Sequence, residues 1–273
     1  MVDYAAESES TLRLTVFFTV FSLLALFELY FPRRKLLVSK RQRWISNIGV
    51  SVINTVLVKL TLPLAGVGAA LLAQEKNWGL FNQLDLSDWL ATLSFLLLFD
   101  FAIYWQHRLF HKVPILWRLH RMHHTDLDYD VTTGNRFHPC SILLSTIIKV
   151  GLVLVLGPSA MAILLAEILL NVTSMFNHSN IFIPRNVDKV ARHFMVTPDM
   201  HRVHHSADII EHNHNFGFNF PWWDRLFATY RDQPVEKHPD MAIGIPGFQK
   251  SQAIKLLSLL KQPFENSERR KDG

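Results

Sequence analysis

Histidine is the residue type that first points to chemistry in this sequence. The chain contains 14 histidines, and eight of them fall in three clusters, one of pattern H-x-x-x-H and two of pattern H-x-x-H-H. Residues three and four apart share one face of a helix, and neutral imidazole is the commonest metal ligand among protein side chains. We therefore predict a metal site built from His107, His111, His120, His123, His124, His201, His204 and His205.

The number of predicted ligands bears on the number of ions. Eight imidazoles exceed the about four to six positions that one transition-metal ion offers, which favours two ions. Imidazole ligands alone do not distinguish iron from zinc, copper or nickel. The spacing thus predicts metal binding without identifying a reaction.

Asp100 is predicted to support these ligands. It precedes His107 by seven residues and His111 by eleven, and at about 100° per residue all three lie on one helix face. We expect its carboxylate to accept a ring N–H from a ligand histidine, the alternative being a pair with an arginine.

Prolines indicate where the helices of the clusters begin. Thr197, Pro198 and Asp199 precede the third cluster and are typical of an N-cap, a first helical residue and an acidic first turn. Pro114 lies between the first two clusters, so a new helix is expected to carry the second one.

Long apolar runs predict an integral membrane protein. They occupy residues 14–31, 45–73, 89–105, 141–156 and 160–176. The run 45–73 is interrupted by Lys59 and Pro63 and is interpreted as one tilted span, whereas the two short runs form a hairpin that crosses the bilayer or re-enters it. The predicted fold class is an all-α integral membrane protein with about four transmembrane helices and a cytosolic helical cap that carries the histidine clusters.

Charge predicts the orientation and the organisation of the chain. Residues 33–43 hold six lysines and arginines and no acid, which by the positive-inside rule places them in the cytoplasm and the N-terminus outside. All three clusters then lie at the cytoplasmic face of a bacterial inner membrane or an endoplasmic reticulum. We expect an N-terminal membrane hairpin over 1–88 with a basic linker at 32–44, a catalytic domain over 89–235, and a tail over 236–273 that ends in a solvated charge run.

Composition excludes several other classes of protein. Hydrophobic residues make up 49% of the chain and charged residues 19%, against about 25% charged in an average soluble domain. A disordered chain and a highly charged nucleic-acid binder are therefore disfavoured, and the single cysteine excludes a disulfide scaffold.

Short motifs around the clusters resemble the fatty acid hydroxylase and sterol desaturase superfamily. They are Asp100 with Tyr104-Trp105, Arg136-Phe137-His138-Pro139, Asn177-His178-Ser179-Asn180, Thr197 to Ser206, Asn215-Phe216-Gly217 and Trp223 to Phe227. The resemblance implies a membrane-bound non-haem oxidoreductase in which histidines hold two iron ions, with no catalytic residues apart from the metal ligands. His138, His178, His212 and His214 become further candidates to bind metal or orient a ligand, together with Asp100.

The resemblance also implies the reaction partners. Such an enzyme uses O₂ to hydroxylate or desaturate a membrane lipid, such as a sterol or a fatty acyl chain. No nicotinamide or flavin fingerprint is found in the sequence, so electrons are expected from a separate electron-transfer protein. The alternatives are a metal transporter and a non-catalytic lipid- or metal-binding membrane protein; the clusters follow the ends of the apolar runs, which disfavours a transporter.

Overall fold

The computed structural model describes residues 2–248 and 254–265, with side chains from residue 9 onward. Within these ranges the chain forms helices of very different lengths and two isolated β-bridges. In chain order the helices are α1 Val2–Tyr30, α2 Lys40–Thr61, α3 Val67–Glu75, α4 Leu80–Gln83, α5 Asp88–Lys112, α6 Pro114–His124, α7 Pro139–Leu156, α8 Ala160–Asn177, α9 Arg185–Ala191, α10 Pro198–His204, α11 Ile209–His212, α12 Trp222–Leu226 and α13 Leu256–Lys261.

Five of the described helices are long and apolar enough to cross a membrane. They are Glu9–Tyr30 within α1, and all of α2, α5, α7 and α8. The predicted all-α integral membrane fold is therefore confirmed, with five such helices where about four were expected.

The apolar run 45–73 is divided into two helices, contrary to the single tilted span predicted from its hydropathy. Helix α2 ends at Thr61, and α3 begins at Val67. Pro63 has no backbone N–H and cannot continue a helix, and Gly66, the residue before α3, has φ 68°, a conformation that glycine adopts without strain. The short α3 then packs against α7 and α8.

A short turn at residues 157–159 joins α7 and α8, as predicted, but the two helices pack on α3 and α5 more than on each other. Gly157 ends α7 in the left-handed conformation and donates its N–H to the carbonyl of Val153. Ser159 caps α8 by accepting the N–H of Ala162. Each helix has 18 residues, a length of about 27 Å, which is close to the thickness of the hydrocarbon core.

Helix α5 packs against α7 and α8 and carries the first histidine cluster at its end. Phe95, Phe99 and Ile103 on α5 are buried in one apolar cluster with residues of α3, α7 and α8. As Pro114 predicted, α5 ends at Lys112, and α6 starts a new direction that brings the second cluster back over the end of α5.

A buried ionic network fastens α2 to the loop that follows α6. Arg43 is fully buried and donates to Asp126 and Asp130. Burial opposes ionisation, but the guanidinium groups of Arg43 and Arg136 keep the pKa of Asp126 below its usual value. Opposite charges that are buried together satisfy each other's hydrogen bonds and hold the ends of two elements in place.

The described part of the predicted tail 236–273 packs on the rest of the chain. Met241, Ile243, Ile254 and Leu259 are buried, and α13 lies against α2. The charged run at its end lies almost entirely outside the described residues.

Candidate metal centre

The histidine clusters converge on two adjacent groups of ring nitrogens. In each group, one ligand atom per residue lies within 4.8 Å of all the others. The five-histidine group consists of His107, His111, His120, His124 and His204. The four-histidine group consists of His123, His178, His201 and His205.

Each H-x-x-H-H cluster is shared between the two groups, although residues three and four apart share one face of a helix. His120 and His124 join the five-histidine group, but His123 between them joins the other. On an ideal helix, residues four apart differ in direction by about 40° and adjacent residues by about 100°. Helix α10 repeats the division with the groups exchanged, since His201 and His205 point to the four-histidine group and His204 to the five-histidine group.

The distances between the ring nitrogens suit a metal ion that neighbouring histidines bind together. The Nε2 atoms of His107 and His204 are 3.0 Å apart, and those of His111 and His124 are 3.1 Å apart. In the four-histidine group the Nε2 atom of His178 lies 3.0 Å from that of His123. Two nitrogens that each bind an ion at about 2.1 Å and at right angles would be about 3.0 Å apart.

Backbone carbonyls orient three of the imidazoles. The Nδ1–H groups of His107, His178 and His204 donate to the carbonyls of Phe216, Ser174 and His214 at 2.9, 2.7 and 2.7 Å. With Nδ1 protonated, the lone pair of each ring lies on Nε2, which is the atom that faces the group. A ligand histidine is commonly held in this way by a carbonyl or a carboxylate.

His205 carries a further indication that something is bound here. It is completely buried, and neither of its ring nitrogens has a hydrogen-bond partner among the described residues. A buried imidazole without partners is costly, and a metal bond would satisfy the acceptor nitrogen. The donor chemistry of both groups therefore fits a metal ion that prefers imidazole.

Burial keeps these imidazoles neutral. It lowers the pKa of His178 to about 3, and burial with neighbouring imidazoles holds the pKa values of His201 and His205 well below the usual range. Only the neutral ring can donate a lone pair to a metal. The groups are thus ready to bind metal at neutral pH without first releasing protons.

Of the further candidates, His178 joins a group and the other histidines do not. His212 packs its ring 4.5 Å from that of His124 but belongs to neither group. His138 caps α7 by accepting the N–H of Cys140, and its Nε2–H donates to the carbonyl of Leu260. His214 turns its ring toward the carbonyl of Ile210, although its own carbonyl accepts from His204.

The expected hydrogen bond from a ligand histidine to Asp100 is wrong. The Asp100 carboxylate instead accepts the backbone N–H of Asn219 at 3.1 Å and of Phe220 at 3.4 Å, and the indole N–H of Trp223 at 2.8 Å. The Asp100 side chain is completely buried. These three N–H donors occupy the position that we expected the ring N–H of a ligand histidine to take. The helix-face geometry was correct, but a loop more than a hundred residues away occupies the position.

Two buried carboxylates hold that loop together. Asp224 accepts the N–H groups of Phe216 and Gly217 at 2.8 and 2.7 Å, while Asp100 binds the residues that follow. A Cβ atom at residue 217 would lie 2.7 Å from the Asp224 carboxylate, so glycine is required for this approach. Through the Phe216 carbonyl, the loop fixes the orientation of His107, a role that the sequence did not reveal.

A family model described as "Fatty acid hydroxylase" matches residues 92–229, which is half of the chain and includes all nine grouped histidines. No solved structure gives a significant match.

Several curated proteins are similar to between 57% and 64% of the chain. Ornithine lipid hydroxylase OlsE of Rhizobium tropici is 31% identical over 180 residues, which is 64% of this chain and 50% of that protein. Alkylglycerol monooxygenase of Homo sapiens is 32% identical over 57% of this chain and 34% of its own length. A Delta(7)-sterol-C5(6)-desaturase of Nicotiana tabacum is 29% identical over 60% of this chain and 59% of its own length. The chain thus spans half or less of the first two relatives.

Proposed function

This chain belongs to the fatty acid hydroxylase family, as its motifs predicted, and from that premise we propose that it is an O₂-dependent lipid-modifying oxidoreductase of the membrane. The observation that carries the proposal is the pair of buried histidine groups at the ends of apolar helices. In this proposal each group holds one iron ion, with the five-histidine group and the four-histidine group as the two ligand sets.

Lipid hydroxylation is the reaction that the relatives favour. Two of the most similar curated proteins are named a lipid hydroxylase and a monooxygenase, and a desaturase is somewhat less similar. We propose that the substrate is a lipid with an acyl or alkyl chain and that the main product carries a new hydroxyl group. Desaturation is the second outcome that the same site would support.

The contribution of the protein is placement and exclusion of water. Bound iron would supply activation of O₂ and removal of hydrogen from an unactivated C–H bond. The chain keeps the imidazoles neutral and fixes their rings through the carbonyls described above. The ring of Phe137 stacks on His123 at 4.3 Å, and Phe216 lies 5.7 Å from His107, so apolar rings cover part of the candidate ligands and help to keep water from the site.

The proposed orientation places the histidine groups at the cytoplasmic face. Its support is the basic segment 33–43, although the structure uses part of this charge internally. Arg34 and Arg43 are buried and bind the carbonyl of Met241 and the carboxylate of Asp126. Lys35, Lys40 and Arg41 remain at least partly exposed and supply the positive-inside signal. A separate electron-transfer protein on the same side is proposed as the source of electrons.

Metal analysis tests the assignment of ligands. We expect elemental mass spectrometry of the purified protein to find two iron ions per chain. His204→Ala and His178→Ala each remove one candidate ligand from a different group, and each is expected to lose about one ion. His193→Ala, which alters an exposed histidine outside both groups, is the matched control. Full metal content in both group variants would refute the two-group assignment.

Lipid analysis tests the reaction. Cells that express the chain are expected to accumulate a lipid with one added oxygen atom, and growth under ¹⁸O₂ is expected to label that atom. The His204→Ala strain should lack the product. An unchanged lipid profile in cells that make iron-loaded protein and a suitable reductase would contradict the proposal and favour a binding function.

A further inference from the structure

Helices α9 and α12 and the segments beside them expose a continuous set of large apolar side chains. Phe182, Val187, Val190, Phe194, Trp222 and Leu226 are each between 41% and 68% exposed; we refer to these six residues as the apolar collar. Contiguous apolar surface of this kind is rare on parts of a protein that face water, and none of the residues belongs to a candidate spanning helix.

Hydrogen bonds join the elements of the apolar collar into one surface. The indole N–H of Trp222 donates to the carbonyl of His193 at 2.7 Å, and Arg225 donates to the carbonyl of Arg192 at 3.2 Å. These bonds fix α12 against the end of α9. At the other end, the N–H of Phe182 donates to the carbonyl of Phe31 at 2.8 Å, directly after the spanning part of α1.

The contacts of α12 with α5 show where the apolar collar lies along the length of α5. The ring of Trp223 is 4.9 Å from Phe101, and the ring of Phe227 is 5.1 Å from Trp105. Phe101 precedes His111 by ten residues, which is about 15 Å along the helix. Helix α12 is therefore placed beside the spanning part of α5, well before the end of that helix.

The charges around the apolar collar are mainly positive. Arg185 and Lys189 on α9 and Arg225 on α12 are exposed. The acidic residue of α9, Asp188, is buried and paired with Arg192 at 2.6 Å. Basic side chains beside exposed aromatic and aliphatic ones are typical of a surface that lies in the interface of a bilayer with anionic lipids.

We propose that the apolar collar is inserted into the lipid leaflet on the side of the histidine groups. Its apolar side chains lie at the boundary of headgroups and acyl chains, and Arg185, Lys189 and Arg225 contact lipid phosphates. The surface is continuous with the spanning helices at both ends, through Phe31 and through Phe101, which argues for lipid and against a protein as the occupant. The collar holds the histidine groups at a fixed height above the acyl chains.

Spin labels at matched positions test this placement. In a Cys140→Ser background, which removes the single cysteine, Phe194→Cys places a nitroxide label on the apolar collar. Ile209→Cys is the control, because Ile209 is 74% exposed and begins α11, whose His212 lies 4.7 Å from His111 at the end of α5. Both labels are thus on exposed apolar positions, but at different heights along α5.

The accessibility of each label is measured by power saturation of its electron paramagnetic resonance signal, in nanodiscs of phosphatidylcholine and phosphatidylglycerol. Two relaxing agents are compared: O₂, which is concentrated in lipid, and a nickel chelate, which stays in water. The Phe194→Cys label is expected to be more accessible to O₂, and the Ile209→Cys label to the nickel chelate. Equal accessibility ratios at the two positions, in monodisperse protein, would overturn the proposal and leave the collar as a surface for a protein partner. Should the Phe194 variant not fold, Val190→Cys tests the same surface with the same expectations.

Discussion

Replacing Asp100 by asparagine separates the role of this carboxylate from that of the histidines. The carboxylate accepts two backbone N–H groups from the loop that holds His107 in place, and the indole N–H of Trp223 on α12. The asparagine side chain keeps one oxygen, but its NH₂ group cannot accept, so at least one buried donor is left unpaired. That costs about 1–3 kcal/mol, and the loss of charge weakens the remaining bonds by about 1 kcal/mol. We expect the free energy of unfolding to fall by about 2–4 kcal/mol.

The effect on metal binding should be confined to one group. The loop orients His107 in the five-histidine group, whereas in the four-histidine group the Ser174 carbonyl on α8 orients His178. A residue that orients a ligand directly is worth about 10–100-fold in metal affinity, and Asp100 acts one contact further away. We therefore expect a loss of affinity of about tenfold for one ion and little change for the other.

Denaturant titration in micelles and competition with a coloured chelator measure these two effects. Asp85→Asn is the matched control, since it makes the same substitution at an exposed site just before α5. An Asp100→Asn protein with the stability of the control and two ions of unchanged affinity would show that the two carboxylates do not hold the loop.

Three further predictions concern residues outside the two groups. Arg43→Met leaves Asp126 and Asp130 without their main partner and should cost about 3–5 kcal/mol by denaturant titration, whereas exposed Arg41→Met should cost little. His138→Ala removes the cap of α7 and should lower stability by about 1 kcal/mol with full iron content, and loss of an ion would make His138 a ligand after all. Burial lowers the pKa of His238 to about 3, whereas the unfolded chain has the usual pKa of about 6.5. The unfolded chain therefore takes up the proton first, and the free energy of unfolding falls as the pH drops below about 6.5. Between pH 7.5 and 5.5, the wild-type protein should lose about 1.4 kcal/mol more than His238→Asn, and equal losses would mean that His238 is solvated.

Local features of the sequence predicted much of the fold, because they depend on short-range rules. The break at Pro114 and the cap at Thr197 were located correctly, since proline and threonine act on the residues next to them. Hydropathy located the spans, but it did not show that Pro63 and Gly66 divide one run into two helices. Hydropathy averages over a window, and a break of a few residues hardly changes that average.

Contacts between distant segments explain what the sequence left undetermined. The partners of Asp100 lie more than a hundred residues away, and no spacing rule connects them. His238 is buried beside Asp199, because the segment after residue 236 folds back over the basic linker and accepts a hydrogen bond from Arg34. The assignment of each histidine to its group depends on where α6 and α10 lie relative to α5 and α8, and the pattern H-x-x-H-H does not contain that information.

The sharing of α6 and α10 between both groups has a mechanical consequence. Each helix carries candidate ligands for both sites, so rotating either helix would displace ring nitrogens at both sites at once. The backbone of α6 and α10 therefore sets the separation of any two ions held there. One site cannot be redesigned for a different metal through these helices without altering the other, whereas α5 and α8 each serve a single site and offer independent handles.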